Sequence, residues 1–126
     1  MQRKVKFQFY DKKRKRIMDV LTIDWEKGIV VCVYGRQGWI SLIEDGDFLQ
    51  YAGRKDKYRR EIFEGNIIIP YDHIGATLPM EVYWDEAVCG FRCRRDTFTG
   101  PLPASNNVEV IGNIYENPEL LSITSL

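Results

Sequence analysis

One histidine and three cysteines are spread through the 126 residues, and neither residue type assembles a chemical site. Cys32, Cys89 and Cys93 are odd in number and lack a paired spacing, which points to reduced thiols rather than a disulfide framework. His73 is remote in sequence from all three, so a four-ligand zinc set would have to borrow carboxylates. None of the ten glycines stands in the spacing of a phosphate cradle ahead of a helix. No metal or other cofactor is expected. No apolar run approaches the length of a membrane span, about 18 residues or more, and the basic start MQRKVKFQFY lacks the continuous apolar core of a signal peptide. The expectation is a cytoplasmic protein without membrane association. An excess of charge is missing too: Lys plus Arg and Asp plus Glu each number 18, for a net charge of zero. A field that would draw the whole protein to nucleic acid or anionic lipid is thereby excluded.

What is present suits β structure. Aromatic residues make up 13% of the chain and hydrophobic residues 44%, a globular composition weighted toward strand formers. Val5, Phe7 and Phe9 alternate with polar residues over Lys4 to Tyr10, the period of a half-buried strand. After the charged turn DKKRKR (Asp11 to Arg16), Ile17 to Trp25 reads as a second strand. Ile29 to Tyr34 (IVVCVY), bounded by Gly28 and Gly35, reads as a strand buried on both faces, with Cys32 as an inert core thiol. Trp39 to Ile43 and Ile67 to Tyr71 follow, the latter ended by Pro70. Met80 to Trp84 and Gly90 to Arg94 form a hairpin, Thr97 to Asn107 a polar surface loop, and Val108 to Tyr115 a strand interrupted at Gly112. Asn117-Pro118-Glu119 carries the signature of a short helix, with Asn117 as cap and proline at the first helical position.

The expected architecture is mainly β: a small, partly open SH3-like barrel or sandwich of short antiparallel strands with a short C-terminal helix. The chain reads as one domain, 1–126, divisible into an N-terminal β subdomain over 1–47 and a C-terminal barrel over 48–126. Its centre is Phe48 to Asn66 (FLQYAGRKDKYRREIFEGN), an apolar approach, a basic tip and a second aromatic strand. Between Arg54 and Arg60 the tip holds five basic residues and one acid.

Phe48 to Asp56, Glu61 to Ile67 and Val108 to Leu121 resemble the signatures of the YopX family of phage and prophage proteins, and KFQFYDKKRKRIM resembles that family's opening strand and turn. The resemblance implies a mainly β, self-associating protein of phage or prophage origin in a bacterial host cell, with no established biochemical activity. Two departures stand out. Tyr58 and Arg59 occupy the tip where the family places a turn-forming Asn-Gly pair, and Asn66 stands where the family has Asp. The first substitutes residues ill-suited to positive φ.

Three functional readings follow. The leading one is a non-enzymatic, homo-oligomeric interaction module, with a phage or host protein as a further partner. Its candidate interaction surface is Tyr51, Arg54, Lys55, Lys57, Tyr58, Arg59 and Arg60. The uncharged, apolar tail from Leu120 to Leu126 is expected to pack on the barrel or on a neighbouring subunit. Second comes a nucleic-acid-binding β-barrel: the clusters Lys12 to Arg16 and Arg54 to Arg60 could contact phosphate, helped by Arg92, Arg94 and Arg95, while Tyr51, Tyr58 and Tyr71 could stack on unpaired bases. Zero net charge disfavours it, and charge-rich hairpin tips are usually solvated turns. Catalysis comes third, since His73 would need a positioned partner such as Asp72 or Asp85, and Tyr-Asp-His in a loop after a proline is more often turn chemistry.

Overall fold

The alternation that marks Phe7 and Phe9 as inward-facing is realised in the computed structural model, which describes residues 3–103 and 106–123. Among the described residues eleven strands follow one another, most joined by tight turns: β1 Phe7–Asp11, β2 Arg16–Asp24, β3 Ile29–Tyr34, β4 Gln37–Leu42, β5 Gly46–Lys55, β6 Glu61–Phe63, β7 Asn66–Pro70, β8 Met80–Asp85, β9 Gly90–Arg95, β10 Phe98–Pro101 and β11 Val108–Asn113. Short 3-10 turns occupy Ile43–Asp45 and Pro118–Ser122. The strands form two antiparallel sheets, ordered β4-β3-β2-β1-β5-β6 and β10-β9-β8-β7-β11. The protein is thus mainly β, and neither sheet closes into a barrel among the described residues. None of its described helices is long and apolar enough to cross a membrane. Two compact units divide the chain, Met1–Tyr51 and Ala52–Leu126.

In the first unit the core is Phe9, Met18, Val30 and Cys32, flanked by Val20, Ile23, Trp39, Ile43 and Phe48. Phe9 and Phe48 face each other across the β1–β5 pair, ring centroids 5.2 Å apart. Gly46 opens β5 because nothing larger fits: a β-carbon there would lie 2.1 Å from the Tyr10 carbonyl oxygen and 2.5 Å from the Phe9 ring. The β3 strand has the expected bounds but a different environment. Only Val30 and Cys32 are buried in it, while Ile29, Val31 and Val33 are half-buried on the opposite face. The continuous apolar run therefore belongs to a one-sided strand, with its second apolar face left partly to solvent.

In the second unit the core is Ile62, Ile68, Met80, Val82, Cys93 and Val108. The β8–β9 hairpin forms as read, with Val82 opposite Cys93. Thr97 to Asn107 is not all loop, however: Phe98 to Pro101 add β10 to the free side of β9. Its Gly and Pro content masks a strand because an edge position tolerates a residue without an N–H. At the other edge, β11 shifts register between Val110 and Gly112. A β-carbon on Gly112 would meet Asn117 Oδ1 at 2.6 Å and Leu120 Cδ1 at 2.9 Å, so the glycine admits the C-terminal turn against the strand. That turn is a 3-10 helix with no side-chain cap bond at Asn117. Asn117 Oδ1 instead accepts the Asn113 N–H. Leu120, Leu121 and Ile123 are half-buried, and the end of the expected packed tail, 124–126, lies outside the described residues.

Candidate functional site

Asp56 is the residue around which the basic tip is built. Lying 2% exposed at the end of β5, its carboxylate accepts the backbone N–H groups of Tyr58 (2.9 Å), Arg60 (2.8 Å) and Val110 (3.1 Å). Asp56 and Arg60 are further joined through the main chain, Asp56 N–H to Arg60 O at 2.8 Å, and the Lys57 N–H donates to Val108 O at 2.9 Å. Short polar side chains that accept turn amides in this way fix a loop without a regular ladder. The tip is accordingly tied to β11 at Val108 and Val110. Arg59 sits at φ 66°, the left-handed region. The arginine thus adopts a conformation that glycine or asparagine takes at less cost.

The same device shapes the first unit's basic turn, with an opposite electrostatic result. Asp11, 1% exposed, accepts the N–H groups of Lys13 (2.9 Å) and Arg14 (3.0 Å), the Arg14 Nη1 at 2.7 Å and the Ser41 hydroxyl at 2.6 Å. Burial alone would raise its pKa. The hydrogen bonds from Ser41, Arg14 and Lys13 outweigh burial and hold the carboxyl at about 2. Lys12 and Lys13 pair with Asp47 (3.6 Å) and Asp45 (3.1 Å), Arg14 lies 4.7 Å over the Trp39 ring, and Arg16 lies 4.4 Å over that of Tyr34. Most of this cluster's charge is answered locally.

At the second tip it is not. Among the described residues, none of Arg54, Lys55, Lys57, Arg59 and Arg60 forms an ion pair with a carboxylate. Lys57 places its ammonium 3.8 Å from the Tyr71 ring centre and 5.2 Å from that of Tyr58. Desolvation pulls the Lys57 pKa down, but the Tyr58 and Tyr71 phenols outweigh it and the net shift is upward. The Tyr71 hydroxyl donates to Glu109 Oε1 at 2.8 Å, and that bond first, then desolvation, raises the phenol's pKa. Arg60 reaches the Val110 carbonyl at 3.4 Å. Lys55, Lys57, Tyr58, Arg59 and Arg60 are exposed and Arg54 is half-buried. Tyr51 does not share this surface. It is buried in the first unit, with its N–H bonded to the Lys6 carbonyl, because β5 alternates its faces and Leu49 and Tyr51 both turn inward.

The remaining arginines are committed elsewhere. Arg94 makes two 3.2 Å bonds to the Glu81 carboxylate and stacks 4.2 Å over Tyr83. Arg92 lies 3.4 Å from Asp85, and Arg95 donates to the carbonyls of Pro79 and Ile123. Asp72 accepts the N–H groups of Ile74 and Gly75, and Asp85 that of Ala87, so both are turn residues in their own loops. Neither bonds to the exposed His73. Asn66, the second departure, closes the turn between β6 and β7 by accepting the Phe63 N–H at 2.8 Å. Burial raises the pKa of Cys32 to about 11 and moves that of Cys93 upward too. Both are poor nucleophiles at neutral pH. Among the described residues no group of three or more His, Cys, Asp or Glu is placed to hold a metal ion.

Two open antiparallel sheets, short turns pinned by aspartate side chains, and one basic tip whose cations form no ion pair among the described residues define a class of small all-β protein. Its matches agree. The model of the YopX family, described as YopX protein, matches residues 6–122. The chain belongs to the YopX family. Among solved structures, it is similar to protein EF1440 from Enterococcus faecalis, with a TM-score of 0.61 and 21% identity, covering 95% of this chain and 99% of that one. This likeness speaks to the fold. Comparison with curated proteins returns no match.

Proposed function

We propose that this YopX-family protein is a non-enzymatic, self-associating interaction module of phage or prophage origin that works in the cytoplasm of the bacterial host. The observation that carries this reading is the outer face of the β2–β3–β4 end of the first sheet. Register sets Val31 opposite Ile40 and Ile29 opposite Leu42, so all four lie on the face away from Val30 and Cys32. Ile40 is 64% and Leu42 43% exposed. β4 is also the end strand of its sheet, and its sequence QGWISL carries neither charge nor proline. Natural sheet edges are normally blunted by such residues, and an unguarded apolar edge is a template for another strand. A second copy of β4 supplies a self-complementary antiparallel mate, as a two-fold interface requires. Light scattering on wild type and Ile40→Lys tests this: an assembly larger than a monomer should fall to monomer mass in the variant. A monomeric wild type refutes it.

The tip supports a second reading, binding of single-stranded nucleic acid. Lys55, Lys57, Arg59 and Arg60 are exposed and, among the described residues, form no ion pair, and exposed Tyr58 in the same tip supplies a face for base stacking. Retention of an oligonucleotide at low salt should fall steeply as salt rises, and the double variant Lys55→Gln, Arg59→Gln should flatten that dependence. No retention of wild type at low salt removes this reading.

A further inference from the structure

A second site, unrelated to the tip, lies in the second unit. Thr77 to Met80 and parts of β9 and β10 line an open cleft of about 510 Å³, walled by Leu78, Met80, Cys93, Phe98 and Pro101, with Arg95 the one charged residue of its lining among the described residues. That volume falls in the range of small-ligand sites. Its apolar wall is not fully covered: Phe98 is 62% and Leu78 36% exposed, whereas Met80 and Cys93 form a buried floor. Two other polar side chains of the wall already have partners. The Thr77 hydroxyl donates to the Pro70 carbonyl at 2.7 Å, and the Cys93 thiol lies 3.5 Å from the Pro101 carbonyl. Arg95 differs from these. Its guanidinium donates to two backbone carbonyls, of Pro79 and Ile123, which use two of its five N–H groups and leave its charge unmet by any carboxylate among the described residues.

The geometry points to a binding site for a small amphipathic carboxylate, such as a medium-chain fatty acid, with its hydrocarbon on Leu78, Met80 and Phe98 and its carboxylate on Arg95. Charge complementarity selects the anion, since arginine presents paired donors matched to a carboxylate. The strand at the rim selects a small ligand over an added peptide strand. Only four residues long, β10 contains Pro101, which has no N–H for main-chain pairing.

Octanoate and 1-octanol, equal in apolar length and different in charge, test the site by amide shifts in nuclear magnetic resonance spectra at neutral pH. Octanoate should shift Leu78, Met80, Phe98 and Gly100 saturably, with an affinity about tenfold above that of 1-octanol. Arg95→Gln should remove that preference. Phe98→Glu, a change at an exposed position, removes one apolar wall and should weaken both compounds, octanoate by more because the new carboxylate also repels it. Equal affinity of wild type for both compounds, no saturable shift at these residues, or unchanged octanoate binding by Phe98→Glu would overturn the assignment. Tighter binding of a leucine-ending peptide than of octanoate would overturn its assignment to a small ligand.

Discussion

Removing the Asp56 carboxylate should release the basic tip from β11. Three backbone N–H groups converge on it, at 2.8 to 3.1 Å, and the residue is 2% exposed. A hydrogen bond to an ionised acceptor contributes about 1.5–3 kcal/mol when nothing replaces it. Tyr58 and Arg60 are exposed, so their amides regain water in Asp56→Ala, but the amide of half-buried Val110 regains less. Loss of about 3 kcal/mol in folding stability follows, less than the sum of three full bonds. Asp56→Asn keeps one acceptor oxygen and sets an amide NH2 against one N–H, so it should lose about 2 kcal/mol. Urea unfolding at fixed slope measures both. Amide exchange at Tyr58, Arg60 and Val110 should quicken before exchange in the β8–β9 hairpin does. A stability within about 0.5 kcal/mol of wild type for Asp56→Ala, the range of an ordinary surface change, would refute the role given to this carboxylate.

Three further predictions rest on the same physics. The Asp11 pKa is depressed from 3.8 to about 2, so its contribution to stability is fully present above pH 3.8 and is lost as pH falls through about 2; the stability gap between wild type and Asp11→Asn should close over that window in acid unfolding monitored by circular dichroism. Arg59→Gly should stabilise the protein by about 0.5–1 kcal/mol in urea unfolding, since glycine adopts the φ of 66° without a β-carbon clash and loses part of that gain to chain entropy. Gly46→Ala should destabilise by about 3 kcal/mol or prevent folding, because the clash at 2.1 Å is with backbone; thermal melting reads it directly.

The sequence pattern reveals strands where side chains alternate or β-branched residues run together, as in Ile29 to Tyr34 and Met80 to Trp84. It is blind to which faces are covered, so β3 reads as buried on both sides when one side meets solvent. Asp11 and Asp56 are the sharper lesson. Asp11 opens one basic run and Asp56 lies within the other, and in the sequence each is only one acid of a charged turn; both are buried turn anchors, and only the partner amides on other residues, Val110 above all, reveal it. The five basic side chains of the candidate site are legible as a group. That none of them forms an ion pair among the described residues is not, because ion-pair partners can be distant in sequence, as Asp45 and Asp47 are from the first cluster. Tyr51 was readable as inward from its alternation with Leu49 rather than from its nearness to the tip.

Self-association through β4 is tested most directly by hydrogen exchange of the Gln37–Leu42 amides. In concentrated wild type, the amides that point away from β3 should be protected, and in Ile40→Lys they should exchange at the rate of an open edge. Rapid exchange of those amides in wild type at high concentration, with the β3-facing amides protected, would contradict it.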